Sequence, residues 1–373
     1  MTRREWLAMI SAAPLLRGAA EAPAGPVAIA TCATYEEDVA AKLAGMFDQL
    51  GGLEKLVRGR MVTVKVNMTG PPGQRVQGMA PALTHYTHPK VVGAVAYLMG
   101  RAGAKRIRLV ESPWATAGPL EEVMLDAGWN VRSLMGAAAG VELENTNALG
   151  KSRKYARFKV PGAAYMYPEY VMNQAYADTD VFVSLAKLKN HIDCGVTLSL
   201  KNCFGCLPAS IYGDDAGVDE PNENPTRGRS DVVHWAKRQP AKIAPPELHP
   251  GEGRKNAGYR VSRVVADLAV ARPIHLAIID GVASMAGGEG PWVRGLRVVK
   301  PGVLIAGLNP VSTDAVATAV MGYDPRAVRG TAPFRDADNT MLLAEARGAG
   351  LAELRWIEVR WAAIEQVMLR YGG

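Results

Sequence analysis

Cysteine is scarce in this chain. Its four cysteines in 373 residues, Cys32, Cys194, Cys203 and Cys206, are far too few for a disulfide-built scaffold. They also lack the close, regular spacing of the four cysteines in a ferredoxin-like array. Beyond the N-terminus no apolar run is long enough to span a bilayer, so no transmembrane segment is expected in the mature chain. No internal repeat is visible, and no nucleic-acid reader motif accompanies the net charge of +7. The densest basic run, Lys151, Arg153, Lys154, Arg157 and Lys159, alternates with Tyr155 and Phe158 in an expected strand. Half of those side chains then face solvent, which reads as a mildly basic surface and not as a nucleic-acid site.

What is present is the make-up of a globular protein, 48% hydrophobic and 21% charged. The length suits one large domain or two closely joined lobes. At the N-terminus Arg3 and Arg4 precede a short apolar run, AMISAAPLL, and an Ala-x-Ala-like end at Ala20, Glu21 and Ala22. Residues 1–22 thus resemble a twin-arginine export signal, leaving 23–373 as one mature domain that is periplasmic or otherwise exported. That route carries folded proteins, many of them loaded with a cofactor.

After this segment, β-like and helix-like patterns alternate. Val27–Thr31, Val62–Asn67 and Arg106–Glu111 read as strands, and Glu37–Leu50 and Pro89–Arg101 as helices. Val141–Asn145, Tyr155–Val160 and the strongly apolar Asp180–Ala186 continue the strand set. A second alternating stretch follows: helix Ser262–Ala271, strands Ile274–Asp280 and Val303–Gly307, helices Asp314–Met321 and Asn339–Ala349, and strand Arg355–Arg360. The expectation is an α/β fold with a largely parallel or mixed sheet built from βαβ units. Between the two stretches lies 213–258, rich in Pro, Gly, Asp and Asn, read as an insertion or partly ordered lid.

Several strands end in residues that packing does not need. Lys65 and Asn67 close VTVKVN, Glu111 closes RIRLVE, Lys187 and Lys189 follow DVFVSLA, and Asp280 closes IHLAIID. In open α/β sheets ligands bind outside the carboxyl ends of the strands, so these residues are expected to face one cleft. Asp280 is followed by a glycine-rich loop containing Gly288 and Glu289, which can bring backbone amides to an anion or form a plain turn.

The segment KLKNHIDCGVTLSLKNCFGC, from Lys187 to Cys206, is the functional centre. Lys187, Lys189 and His191 share a face if the strand continues, and paired ammonium groups beside an imidazole suit anion binding and proton transfer. KLKNH and GVTLSLKN with Gly205 resemble the domain-of-unknown-function 362 family, some members of which are joined to iron–sulfur modules. VKVN, THP at Thr87, VADL at Asp267, IDGVASMAGGEGP at Asp280 and NPVSTDAVA around Asp314 extend the resemblance over nearly the whole mature chain. It implies an α/β fold and a shared polar site, but no settled activity.

The family pattern does not require the cysteines. Even so, His191, Cys194, Cys203 and Cys206 form H-x2-C-x8-C-x2-C, which could hold zinc or an iron–sulfur cluster. A Cys203–Cys206 disulfide, or inert thiols, fit the same spacing. His234 lies in the insertion and reaches the site only if that loop closes. Two functions fit these residues. One is an exported enzyme that acts on a small anionic substrate by redox chemistry, with an external electron carrier, or by proton transfer. Its acid–base or polarising groups are Lys187, Lys189, His191, Asp280 and Glu111, and its binding groups Lys65, Asn67, Lys201, Asn202, Gly288 and Glu289. The other is a non-catalytic protein that holds an anion, metal or cluster in the same pocket.

Overall fold

The computed structural model describes residues 23–250 and 256–372. The expected export signal at 1–22 lies outside the described residues, as do 251–255 of the insertion. Eight strands form one sheet: β1 (Val27–Thr31), β2 (Met61–Lys65), β3 (Arg106–Glu111), β4 (Val141–Asn145), β5 (Val181–Lys187), β6 (Leu276–Gly281), β7 (Val303–Gly307) and β8 (Val359–Trp361). Their spatial order is β8-β1-β7-β6-β5-β2-β3-β4. The run β6-β5-β2-β3-β4 is parallel throughout. β7 lies antiparallel between β6 and β1, and β8 is parallel to β1. Seven strands therefore point one way, and the sheet is mixed through β7 alone.

Period-two alternation divides the strand residues between two cores. On one face Ala28, Val62, Val64, Ile107, Val183 and Ile278 pack with α1 (Val39–Gln49) and α2 (Pro89–Arg101). On the other, Ile29, Phe182, Ala186, Ala277, Ile279 and Ile305 pack with α4 (Ala257–Ala271) and α5 (Pro310–Val320), with the short helix α3 (Leu198–Asn202) wedged beside them. Both alternating stretches thus contribute to one sheet and do not form separate lobes.

The helix starts follow from local chemistry. Asp38, His88, Asn256 and Asn309 each cap a helix by accepting from a backbone amide in its first turn. The small residues of α5 let it run fully buried, every one of its residues inside the protein. Two expectations shift. The strand expected at Arg355–Arg360 is a helical turn at Leu354–Trp356 followed by β8. The Lys187–Lys189–His191 strand does not continue, because β5 stops at Lys187 and Asn190–His191 pairs instead with Gly195–Val196.

Candidate functional site

The polar strand ends do meet, in two tiers. The lower tier is closed. Lys187 and Asp280, at the adjacent ends of β5 and β6, form a fully buried ion pair of 3.0 Å. The Lys187 ammonium also donates to the Tyr35 hydroxyl and the Ala82 carbonyl, while Asp280 accepts from Tyr35 and from the His88 amide that opens α2. The Lys189 ammonium turns into three oxygens, those of Thr69, His85 and the Glu289 backbone. Burial lowers the pKa of both lysines, more strongly for Lys189. Neither lysine nor Asp280 lines the open cleft. Their donors and acceptors join four chain segments, so the KLK, THP and IDG motifs act as a buried clasp.

The upper tier is a cleft of about 310 Å³ above the ends of β2 and β3. Its floor is the Lys65–Glu111 pair, 2.5 Å apart and almost fully buried. Glu111 also accepts from the amides of Met68 and Ser112, so both its oxygens are occupied. Asn202 accepts from Lys65 and Asn67 and donates to the Lys65 carbonyl and the Ser184 hydroxyl. The buried Oδ1 of Asn67 has no hydrogen-bond partner among the described residues. Gly205 passes directly over the pair: a Cβ there would stand 2.9 Å from the Lys65 ammonium. Glycine at that position is a matter of space, which gives the family-like KNxxG ending a physical reason.

Helix α3 brings Lys201 to the cleft wall, and its start is capped from elsewhere. Asp314 of α5 accepts from the amides of Ser199 and Leu200, two of the orphan donors that a helix start exposes, and from the Ser199 hydroxyl. Burial raises the Asp314 pKa to about 7 despite these bonds. The Lys201 ammonium lies 4.2 Å over the Phe204 ring and, among the described residues, has no hydrogen bond or ion pair. Burial lowers its pKa, with Cys194, Glu289 and Asp193 acting in the opposite sense.

The insertion supplies the remaining wall, through Gly228, Arg229, Ser230, His234 and Trp235. The insertion therefore packs over the cleft, with Ser230–His234 as its helical turn. The Arg229 guanidinium bonds the Leu207 carbonyl and Asn147, and burial lowers its pKa to about 10. His234 places Nδ1 3.3 Å from the Arg229 carbonyl. A carbonyl only accepts, so that nitrogen carries the proton and Nε2 is left basic; Asp193 lies 3.8 Å from Nε2. Burial, then the Lys201 charge, hold the His234 pKa down to about 4. His191 is likewise pushed well below its usual value by burial. Its Nδ1 accepts from the Asp193 amide. Glu289 holds the Ile192 amide and the Trp292 indole.

The four thiols are unbridged, so the Cys203–Cys206 disulfide is not formed. Among the described residues no three or more His, Cys, Asp and Glu side chains gather in a way that could hold a metal. The H-x2-C-x8-C-x2-C spacing fails because α3 intervenes. Cys194 lies fully buried before the helix and Cys203 and Cys206 follow it, while His191 faces the cleft.

The family model for the domain of unknown function DUF362 matches residues 62–319. The chain belongs to that family. Among curated proteins it is similar to the thylakoid-associated protein sll1697 of Synechocystis sp., 24% identical over 299 residues, or 77% of this chain and 71% of that protein. Solved structures include a lactate racemase apoprotein from Thermoanaerobacterium thermosaccharolyticum, at a TM-score of 0.36 and 11% identity over 75% of this chain. A Thermotoga maritima protein gives a TM-score of 0.36 and 14% identity over 72% of this chain. The chain spans 55% of each of those structures.

On this DUF362 member, then, Lys65, Asn67, Glu111, His191, Lys201, Asn202 and Glu289 line the cleft, while Lys187, Lys189, Asp280 and Gly288 do not. Gly288 packs where a side chain would strike Val293. Cleft residues not picked out from the sequence are Asp193, Arg229, Trp114, Trp235 and Trp292. The one available signal was an unusual tryptophan in a loop just after a polar strand end, as in ESPW. A larger concavity at the β4 edge, about 620 Å³, holds Arg106, Lys151, Arg153 and Lys154. Arg106 pairs there with Glu142 and Lys151 with Glu121, in keeping with a solvated basic surface.

Proposed function

We propose that the cleft binds a small anionic molecule through Lys201 and Arg229, and that the protein is an exported enzyme that moves a proton on that molecule with His234. One observation carries this reading. Lys65, Lys187 and Lys189 each donate to three oxygens, whereas Lys201 faces the cleft with no such partner among the described residues. Glu289 and Asp193 offset its charge only from beyond ion-pair distance; a half-buried cation so placed is costly, and an anionic ligand relieves that cost. His234 is neutral with Nε2 unprotonated on the same wall; a bound anion that offsets the Lys201 charge raises its pKa from about 4 and so equips it to accept a proton. Asp193 stands beside it to stabilise the imidazolium so formed.

The test has two stages. Acetate, malonate and phosphate are compared with chloride at constant ionic strength for their effect on melting temperature, in wild type and in Lys201→Met. Stabilisation by at least one of the three, absent in the variant, supports the reading; no stabilisation, or the same stabilisation in both proteins, overturns it. Solvent deuterium exchange into the carbon-bound hydrogens of acetate or malonate, whichever stabilises, is then followed by NMR, with a loss of about 10²-fold or more expected in His234→Asn, the order of magnitude for a general base. Binding without exchange favours the non-catalytic alternative. Export is tested by fusing residues 1–22 to a folded reporter, with Arg3 and Arg4 replaced by lysine as the control.

A further inference from the structure

Five tryptophans of the described residues are exposed, and three of them, Trp114, Trp235 and Trp292, line the mouth of this cleft. They come from three separate parts of the chain: the loop after β3, the insertion, and the glycine-rich loop after β6. Exposed indoles gathered on one rim mark a binding surface, because each leaves a large apolar face in water.

The rim is built and not incidental. The Trp292 indole nitrogen donates to Glu289 at 2.9 Å, and Glu289 is itself buried and tied to the Ile192 amide. The ring lies against the backbone of Gly70 and Gly290; a Cβ on Gly70 would come within 2.5 Å of it, and one on Gly290 would overlap it. Trp114 sits beside Gly228 of the insertion, where a Cβ would stand 3.5 Å from the ring. The Trp114 and Trp292 rings touch, with centres 5.5 Å apart and tilted by 34°, not face to face, and they still leave 46% and 43% of their surface exposed. Trp292 is thus held by one hydrogen bond and two side-chain-free backbone contacts, and it remains 43% exposed.

We infer that this rim is a stacking subsite for a planar aromatic ring, and that the ligand of the cleft is an aryl-bearing anion. Its acidic group reaches Lys201 while its ring lies against Trp292 and Trp114. The inference rests on the anion reading above and extends it to a substrate class. An alkyl tail would be served as well by Leu or Val, whereas flat indole faces add stacking that only a planar partner returns. A cationic guest, the other usual occupant of an aromatic rim, would have to lie close to the unpaired Lys201.

The experiment compares benzoate with cyclohexanecarboxylate, which share charge and approximate size but differ in planarity, and with acetate, by titration calorimetry on the full chain. Benzoate is expected to bind about ten-fold more tightly than cyclohexanecarboxylate. Trp292→Leu is expected to abolish that preference while leaving acetate affinity within about two-fold, and Lys201→Met to weaken all three. Equal affinity for the two rings, or a preference that survives in Trp292→Leu, overturns the aromatic subsite and leaves the anion reading standing. Binding of none of the three, by a wild type whose Lys201→Met variant behaves identically, removes the anion reading as well. Tetramethylammonium or glucuronate binding more tightly than benzoate, and lost in Trp292→Leu, overturns the aryl assignment in favour of a cation or a sugar.

Discussion

Replacing Glu111 by glutamine separates a structural floor from a catalytic one. In the native protein the carboxylate receives the Lys65 ammonium at 2.5 Å and the Ser112 amide at 2.8 Å on Oε1, and the Met68 amide at 2.7 Å on Oε2. Glutamine has one oxygen where glutamate has two. Whichever way its amide turns, its NH₂ group meets a buried donor: the Met68 amide in one orientation, Lys65 and Ser112 in the other. An unsatisfied buried N–H costs about 1–3 kcal/mol. The Lys65 charge, left with only the Val66 carbonyl and Asn202, adds to it. Breaking a buried pair from one side costs about 3–5 kcal/mol in all. Urea unfolding at pH 7 measures this directly. Removing the Lys65 charge as well, as in Lys65→Met with Glu111→Gln, is expected to recover part of that loss, since no unpaired buried charge then remains. A Glu111→Gln loss below about 1 kcal/mol, or a double variant no more stable than the single one, would refute the assignment of Glu111 to the floor.

Three further outcomes follow from the same geometry. Asp314→Asn places an NH₂ group against either the Ser199 or the Leu200 amide; it is expected to lower stability by about 1–3 kcal/mol in urea titrations and to weaken anion binding that depends on Lys201. Gly205→Ala forces a methyl group against Lys65 and Glu111, and should cost about 1–3 kcal/mol as an overpacked site, read as a lower melting temperature. For His234 the sign is set by a folded pKa of about 4 below an unfolded value near 6.5. As pH falls from 6.5 towards 4 the unfolded chain takes up a proton that the native one does not, so stability is lost across that window. His234→Gln is therefore expected to flatten the decline of unfolding free energy between pH 6.5 and 4, measured against wild type in the same buffers; parallel profiles would contradict it.

The parts of this picture that depend on local pattern were readable in the sequence. Short β-branched runs such as RIRLVE and VLIAG became strands within a residue or two of the expected bounds. The polar residues closing them did converge, because parallel strands share a carboxyl edge. Sequence position could not show which way each long side chain turned. Lys187 and Lys201 look alike in a string of letters, yet one ends among three buried oxygens and the other in the cleft. The cysteine spacing misled because an intervening helix separates ligands that are near in number. The insertion, read as a lid, contributes Arg229, His234 and Trp235 to the cleft wall. Nothing in their spacing connects them to Trp114 or Trp292, since only the tertiary fold brings those segments together.

The cap on α3 also constrains the order in which the protein assembles. Asp314 reaches Ser199 and Leu200 across 115 and 114 positions, so during synthesis the helix that carries Lys201 emerges long before its cap does. A five-residue helix with exposed amides is not stable by itself. The binding wall therefore waits on α5, and a chain stopped short of residue 314 holds most of the sheet sequence but no finished site. Contacts of such long reach form late and slowly. Competence to bind thus reports that both halves of the sheet have been completed.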